Sequence, residues 1–341
     1  MLIIGHRETR RVMEGREEEI LSLVGETYRL HEAGRTALPH SVFLRFPDSP
    51  RDRIIGLPAY AGGDNAVAGM KWIASFPGNV ARGKERASAA ILLNSMQDGR
   101  PRACVEASLI SARRTAASAA LAASLLTTEG TPRGMSLLGC GPINREVLRF
   151  TRAALPSLRE VVVHDLDAAR ADAFIAQGGA DFPEITYRRA ASAEDALGAH
   201  RLVSFATTAG EPHTDLTACA PGTTVLHVSL RDLTVEAVLG AQNVVDDADH
   251  VCRERTSLHL AEQATGGREF IDAPIGALLD GSADFRRDPE RTAVFSPFGL
   301  GVLDITLAQW VHEECVRRGL GTRVDGFLPD DEAGTAPATA S

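Results

Sequence analysis

The chain has 341 residues, beyond the roughly 250–300 at which a single core stops growing, so two domains are expected. A formal net charge of −9 speaks against a nucleic-acid surface, and no run of about 18 apolar residues is present to cross a membrane. The cysteines Cys104, Cys140, Cys219, Cys252 and Cys315 are odd in number, far apart and without a CxxC spacing, so neither a disulfide frame nor a metal site is indicated and a reducing cytoplasm is the expected setting.

From the N-terminus, Met1-Leu2-Ile3-Ile4-Gly5-His6-Arg7 lacks the charge-then-apolar order of a signal peptide. Apolar positions at Ile20, Leu21, Leu23, Val24, Tyr28 and Leu30 predict a helix over 17–33. Alternation over 41–46 predicts a strand, with further strands over 54–61 and 68–76 separated by Gly62-Gly63-Asp64. The alanine-rich stretches 87–93 and 106–126 read as helices. After Thr127 the rhythm changes to short apolar runs at 134–138, 160–164, 185–189, 202–206, 223–229 and 243–245, interleaved with helical segments. Strands alternating with helices, without polar alternation, predict a parallel sheet covered on both faces. Late helices are expected over 257–264 and 302–318, and an acidic, then Ala/Thr/Pro-rich tail over 329–341 reads as disordered. The fold class is therefore α/β: a dinucleotide-binding domain over 118–298, and a discontinuous α+β domain from 1–117 with 299–328.

Leu138-Gly139-Cys140-Gly141-Pro142-Ile143-Asn144 ends a strand and opens a helix. The first glycine permits the tight turn, the second lets backbone approach a pyrophosphate, and the helix N-terminus offers N–H groups to the anion. The third fingerprint position is Asn144 instead of glycine. Asp165 closes the next strand near the expected interval of about 20 residues, where a carboxylate suits a ribose 2′-hydroxyl and repels a 2′-phosphate. NAD is expected over NADP, with Arg170 the residue that could reverse the preference.

Only Lys71 and Lys84 among the 36 basic residues are lysines. Lysine differs from arginine in its compact, titratable amine, and Lys71 stands among apolar neighbours. Arg45, Lys71 and Arg114 fall on three elements of the first domain, and cations in such settings need anionic partners. A substrate carboxylate is one candidate, since arginine forks onto carboxylates. Asp232 follows the strand ending in Val228-Ser229-Leu230, where ligands of open α/β sheets bind. It is placed for proton transfer, or else caps the helix expected from Thr234. His227 reads as a core residue.

Gly69-Met70-Lys71-Trp72 to Pro77-Gly78-Asn79, followed by Arg114-Thr115-Ala116-Ala117, the turn at Gly139 and the strand before Asp232, resembles the ornithine cyclodeaminase/μ-crystallin family from about Pro39 to Leu320. The resemblance implies a substrate-binding, dimer-forming first domain and a Rossmann second domain for NAD(P). It implies that Arg45, Lys71, Arg114 and Asp232 hold and activate substrate, with Lys71 and Asp232 catalytic. Leu57-Pro58-Ala59-Tyr60, Lys71-Trp72-Ile73-Ala74-Ser75-Phe76-Pro77 and Ser229-Leu230-Arg231-Asp232 are similar to the subgroup that makes 2,3-diaminopropionate. That likeness adds Tyr60 and Arg231 to the substrate residues and Thr115, Thr207 and Ser229 to the cofactor residues. It implies NAD-dependent oxidation of N-(2-amino-2-carboxyethyl)-L-glutamate and hydrolysis to 2,3-diaminopropionate and 2-oxoglutarate, supplying a siderophore or peptide antibiotic. Two alternatives stand beside it: an ornithine cyclodeaminase or cyclic ketimine reductase, and a non-catalytic binder of nicotinamide cofactor like μ-crystallin. A homodimer is expected, since the strand-rich first domain has edges to cover.

Overall fold

The computed structural model describes residues 1–128 and 132–329; residues 330–341 of the expected tail lie outside them. Two eight-stranded sheets organise the described residues. The first runs Thr322–Arg323, Leu2–Ile4, Pro101–Glu106, Ala87–Asn94, Val67–Ser75, Ser49–Ala61, with Thr36–Ala37 and Val42–Phe46 both on the last strand. It is antiparallel except where Leu2–Ile4 lies parallel to Pro101–Glu106. The second runs Thr186–Arg189, Glu160–His164, Gly134–Leu138, Leu202–Phe205, Thr224–His227, Ala293–Ser296, Gln242–Val245, Ile271–Pro274, parallel throughout. Its central strands are buried on both faces, as uninterrupted apolar runs such as Gly134–Leu138 require, while the edge strand Thr186–Arg189 is largely exposed. Fold class and second-domain topology follow the expectation.

Two stretches depart from it. Residues 87–93, read as a helix, form the strand Ala87–Asn94. Alanine favours helix, but this segment is paired on both sides, Ile91 to Lys71 and to Val105, so tertiary pairing outweighs propensity. The strand Pro101–Glu106 then takes what was read as the start of the following helix, which spans Ser108–Leu126. This helix runs unbroken across residue 118, the expected boundary.

The first sheet is two-faced. Leu57, Ala59, Ala61, Val67, Ile91, Leu93, Ala103 and Val105 are buried on its inner face, against helices that include Gly301–Arg317. The chain's last long helix thus returns to the first sheet. On the outer face the exposed Val42, Leu44, Met70 and Trp72 form an uncovered apolar patch. Trp72 lies over Gly56, where an added Cβ would meet the indole at 3.4 Å.

Candidate active site

Strand register assembles the first half of the site. Lys71 pairs with Leu57, and Ser75 with Arg53, so Lys71, Ser75 and Arg53 share the inner face. Arg45 stands opposite Arg53 on the neighbouring strand and belongs to the same face. Tyr60 falls on the other face, two residues on from Pro58, with its hydroxyl toward Gly62. The structure does not bring it to the other expected substrate residues.

Lys71 is 2% exposed, and its partner is one that sequence reasoning missed. Asp304, fully buried in the helix Gly301–Arg317, accepts from Lys71 Nζ at 2.6 Å and from Arg114 Nε at 3.0 Å. Ser111 lies 3.4 Å from Nζ. Lys71 and Arg114 therefore share an internal anion, leaving one excess positive charge. Burial pushes the Lys71 amine down and Arg114 adds to the effect; Asp304 offsets part of it, leaving the pKa at about 8. The signal that could have revealed Asp304 is its position between Leu303 and Ile305 in an otherwise apolar stretch.

Arg114 sits where two connections between the sheets approach each other. Its own helix spans one. In the other, the fully buried Asp246 accepts from the N–H groups of Phe298 and Gly299 at 2.9 and 2.7 Å. A Cβ at Gly299 would lie 2.5 Å from Arg114 Nη1.

Asp232 lies beyond the carboxyl end of Thr224–His227 and is fully buried. Thr207 and Ser229 hydroxyls both donate to its carboxylate, the latter at 2.5 Å. His227 Nε2 lies 3.3 Å from one oxygen of this carboxylate and 3.2 Å from the Asp232 backbone nitrogen, and His227 Nδ1 meets Ser296 Oγ at 3.1 Å. Burial raises its pKa, but the His227 contact and the two hydroxyls more than offset this and bring it to about 2. A group so acidic is ionised near neutrality and is a weak proton acceptor. Thr234, not Asp232, caps the next helix, accepting from Ala237 N–H at 3.2 Å.

A basic rim joins the two halves. Arg45, 53% exposed, donates to Glu254 Oε2 at 2.5 Å. Arg231 donates to the Glu254 carbonyl at 2.7 Å. Leu230, Glu254 and Arg255 all have positive φ, at 69, 54 and 56°, conformations costly for residues with side chains and concentrated at functional sites. Two further arginines went unremarked in the sequence. Arg53 is half-buried, and its Nε has no hydrogen-bond partner. Arg86 donates to Ser75 Oγ at 2.9 Å. Burial and neighbouring guanidiniums depress the pKa values of Arg53, Arg86 and Arg231.

At the glycine turn, Gly139 has φ +91°, and a Cβ there would fall 2.5 Å from the Ala206 carbonyl oxygen. Gly141 caps the helix Pro142–Ala154, whose first-turn residues include Pro142, Ile143 and Asn144. Asn144 is fully buried: Nδ2 donates to the carbonyls of Leu138 and Gly139 at 2.9 and 2.7 Å, and Oδ1 accepts from Ser204 Oγ at 2.7 Å. The departure from a third glycine is thus an amide latch that fixes the turn to two strands. Asp165 accepts from Cys140 N–H at 2.8 Å, beside the turn, and a Cβ on Gly141 would lie 4.0 Å from Arg170 Nη2. Thr115 is remote from this turn in its contacts, donating to the Ser111 carbonyl at 2.8 Å.

Among the described residues no helix is long and apolar enough to cross a membrane. Comparison with known proteins places this architecture. Over 277 residues, 80% of this chain and 82% of the other, the sequence is 29% identical to the N-((2S)-2-amino-2-carboxyethyl)-L-glutamate dehydrogenase of Staphylococcus aureus. An archaeal alanine dehydrogenase dimer solved with bound NAD superposes with a TM-score of 0.85 at 25% identity, covering 96% of this chain and 99% of that one. The Thermococcus litoralis Δ1-pyrroline-2-carboxylate reductase, solved with NADH and L-proline, gives 0.88 at 22% identity, covering 95% and 100%. Residues 8–319 match the profile of the ornithine cyclodeaminase/mu-crystallin family, and the chain belongs to that family.

Proposed function

We propose that the protein is an NAD-dependent amino-acid dehydrogenase that oxidises N-(2-amino-2-carboxyethyl)-L-glutamate and hydrolyses the product to L-2,3-diaminopropionate and 2-oxoglutarate. The observation that carries the reading is the excess of buried cations, Lys71 and Arg114 on one carboxylate with the arginine rim beside them, suited to a substrate bearing three carboxylates. The likeness to the S. aureus dehydrogenase over four-fifths of the chain supports the same substrate. Supply of diaminopropionate to a siderophore or peptide antibiotic is the role this reaction would serve.

The glycine turn is built for a dinucleotide: only glycine tolerates the approach of Ala206 at residue 139, and the helix from Pro142 presents unpaired N–H groups to a pyrophosphate. Gly139, Gly141, Pro142, Ile143 and Asn144 would line it, with Asp165 on the ribose. Thr207 and Ser229 reach the same sheet edge. NAD, when bound, supplies the hydride acceptor for the glutamate Cα–H. Arg45, Arg114 and Arg231 bind carboxylates and orient the substrate. Asp232, ionised across the working range, stabilises the iminium left on the substrate and holds the attacking water. Lys71, with the higher pKa, is the better proton acceptor, so the two roles are distributed by acidity: Asp232 as counter-charge, Lys71 as base. Water adds to the iminium carbon, a proton passes to Lys71, and cleavage of the C–N bond releases the amine and 2-oxoglutarate. The balance is substrate, NAD⁺ and water giving the two products, NADH and a proton.

The uncovered apolar face around Trp72 and Val42 supports a homodimer formed through the first sheet. A second reading, reduction of a cyclic imino acid, draws on the likeness to the pyrroline-2-carboxylate reductase fold. Incubating the protein with NAD and the glutamate adduct should generate NADH and 2-oxoglutarate. No NADH from the adduct, with NADH consumed by Δ1-pyrroline-2-carboxylate, would replace the first reading by the second.

A further inference from the structure

We propose that Arg53, Arg86 and Arg231 form, with Arg45, a second anion subsite that holds a carboxylate carried away from the reacting carbon, and so selects substrates with that extra carboxylate. The subsite rests on the preceding reading only in taking the substrate's carboxylates from it.

Charge and register both bring these side chains together. Arg45 and Arg53 stand directly opposite on adjacent strands, an arrangement of like charges that destabilises a sheet unless an anion intervenes. Arg86 reaches the same face through Ser75, the residue opposite Arg53 on the other side. Arg231 comes from the second sheet's edge and meets them at Glu254. Glu254 is the one carboxylate that hydrogen-bonds any of the four among the described residues, and it does so with Arg45, the most exposed of them. Arg53, deeper in, keeps a buried Nε without a partner. Buried polar groups of native proteins are paired almost without exception, and a guanidinium is the donor whose fork matches a carboxylate.

The strained backbone at Leu230, Glu254 and Arg255 adds a second line of support. It presents the Glu254 carbonyl to Arg231 and its carboxylate to Arg45 at one point, fixing both guanidiniums before any ligand arrives. Lys71 lies further along the same face, four residues before Ser75 in its strand. A substrate with one carboxylate at Arg114 and another at Arg53 would therefore lie along this strand, its reacting carbon between the two. Two carboxylates of the proposed substrate qualify, the γ-carboxylate of the glutamate half and that of the diaminopropionate half.

Calorimetry on the NADH-saturated enzyme separates these. The titrants are 2-oxoglutarate, 2-oxopentanoate (the same carbon chain with a methyl in place of the distal carboxylate) and L-2,3-diaminopropionate. The wild type should bind 2-oxoglutarate at least about tenfold more tightly than 2-oxopentanoate, the lower range for a hydrogen-bonded charged group. Arg53→Met and Arg86→Met should each lose about tenfold or more on 2-oxoglutarate while 2-oxopentanoate and NADH affinities hold. A loss confined to diaminopropionate supports the subsite and assigns it to the other half. Unchanged affinity for 2-oxoglutarate and for diaminopropionate in both variants overturns the proposal, as does an equal loss for 2-oxopentanoate and NADH. A wild type that prefers 2-oxoglutarate yet makes no NADH from the glutamate adduct sinks the functional reading alone. Normal oxidation of the adduct by both variants sinks the subsite alone.

Discussion

Replacing Lys71 by arginine keeps a positive charge beside Asp304 but removes the titratable amine. The native amine is held at about 8 instead of its ordinary 10.5, first by burial and then by Arg114. That difference of about 2.5 units amounts to about 3 kcal/mol spent to keep the group charged below pH 8. Because the folded-state value lies below the unfolded one, the unfolded chain binds more protons between about 8 and 10.5, and this contribution makes stability rise with pH through that window. The same depressed pKa lets Lys71 accept a proton near neutrality, so kcat/KM for oxidation should climb with pH and level off near 8. Arginine titrates above 12 and cannot do this. The Lys71→Arg variant should lose at least about a hundredfold in kcat, roughly 2.7 kcal/mol of barrier, and should lose the rise toward pH 8. NADH binding, followed by fluorescence in the same preparation, should be unchanged, since the glycine turn lies on the other sheet. Near-normal turnover, or an unaltered pH profile, would refute the assignment and leave Lys71 as a charge partner of Asp304.

Asp165→Ser should raise NADP use relative to NAD by about tenfold or more; equal turnover of the two cofactors by the wild type would contradict the role given to Asp165 and point to Arg170. Trp72→Glu should convert a dimer to a monomer by light scattering, and an unchanged mass would remove the outer face as the interface. Asn144→Ala strips buried carbonyls of their donor and should cost about 2–3 kcal/mol by denaturant unfolding; a loss under about 0.5 kcal/mol would mean that the latch is idle. Asp232 is depressed to about 2, so its share of stability, about 2 kcal/mol, is whole above the unfolded carboxylate value near 4 and vanishes as pH falls toward 2. The acid unfolding curve of Asp232→Asn should lack that component, and identical curves would argue against it.

What the sequence displayed best was whatever depends on neighbours in the chain. The glycine turn, Asp165 at the next strand end and the alternating strands and helices were all readable, because each is a short-range pattern. Asp304 was not, since the meaning of an acid inside an apolar helix lies 233 residues away at Lys71. The anion that Lys71 and Arg114 require is in the first place the protein's own carboxylate, which no local pattern announces. Nothing local singles out Arg53 or Arg86, because only strand register puts Arg53 on the face of Lys71 and only a hydrogen bond to Ser75 brings Arg86 there. Tyr60 stands on the face opposite Lys71, since one residue's offset in a strand decides the side of the sheet. The strand Ala87–Asn94 shows the limit of composition, because two neighbours pair it whatever its alanines prefer.

The contact of Gly299 with Arg114 has an evolutionary corollary. The two residues lie on different connections between the sheets, 185 positions apart, yet a Cβ on one would collide with the guanidinium of the other. Position 299 is constrained twice, by its φ of +94° and by the guanidinium beside it. A descendant that gained a side chain there would strain the backbone and displace the end of Arg114. Relatives that keep the arginine should therefore keep the glycine, while loss of the arginine alone would not free position 299 from its backbone conformation.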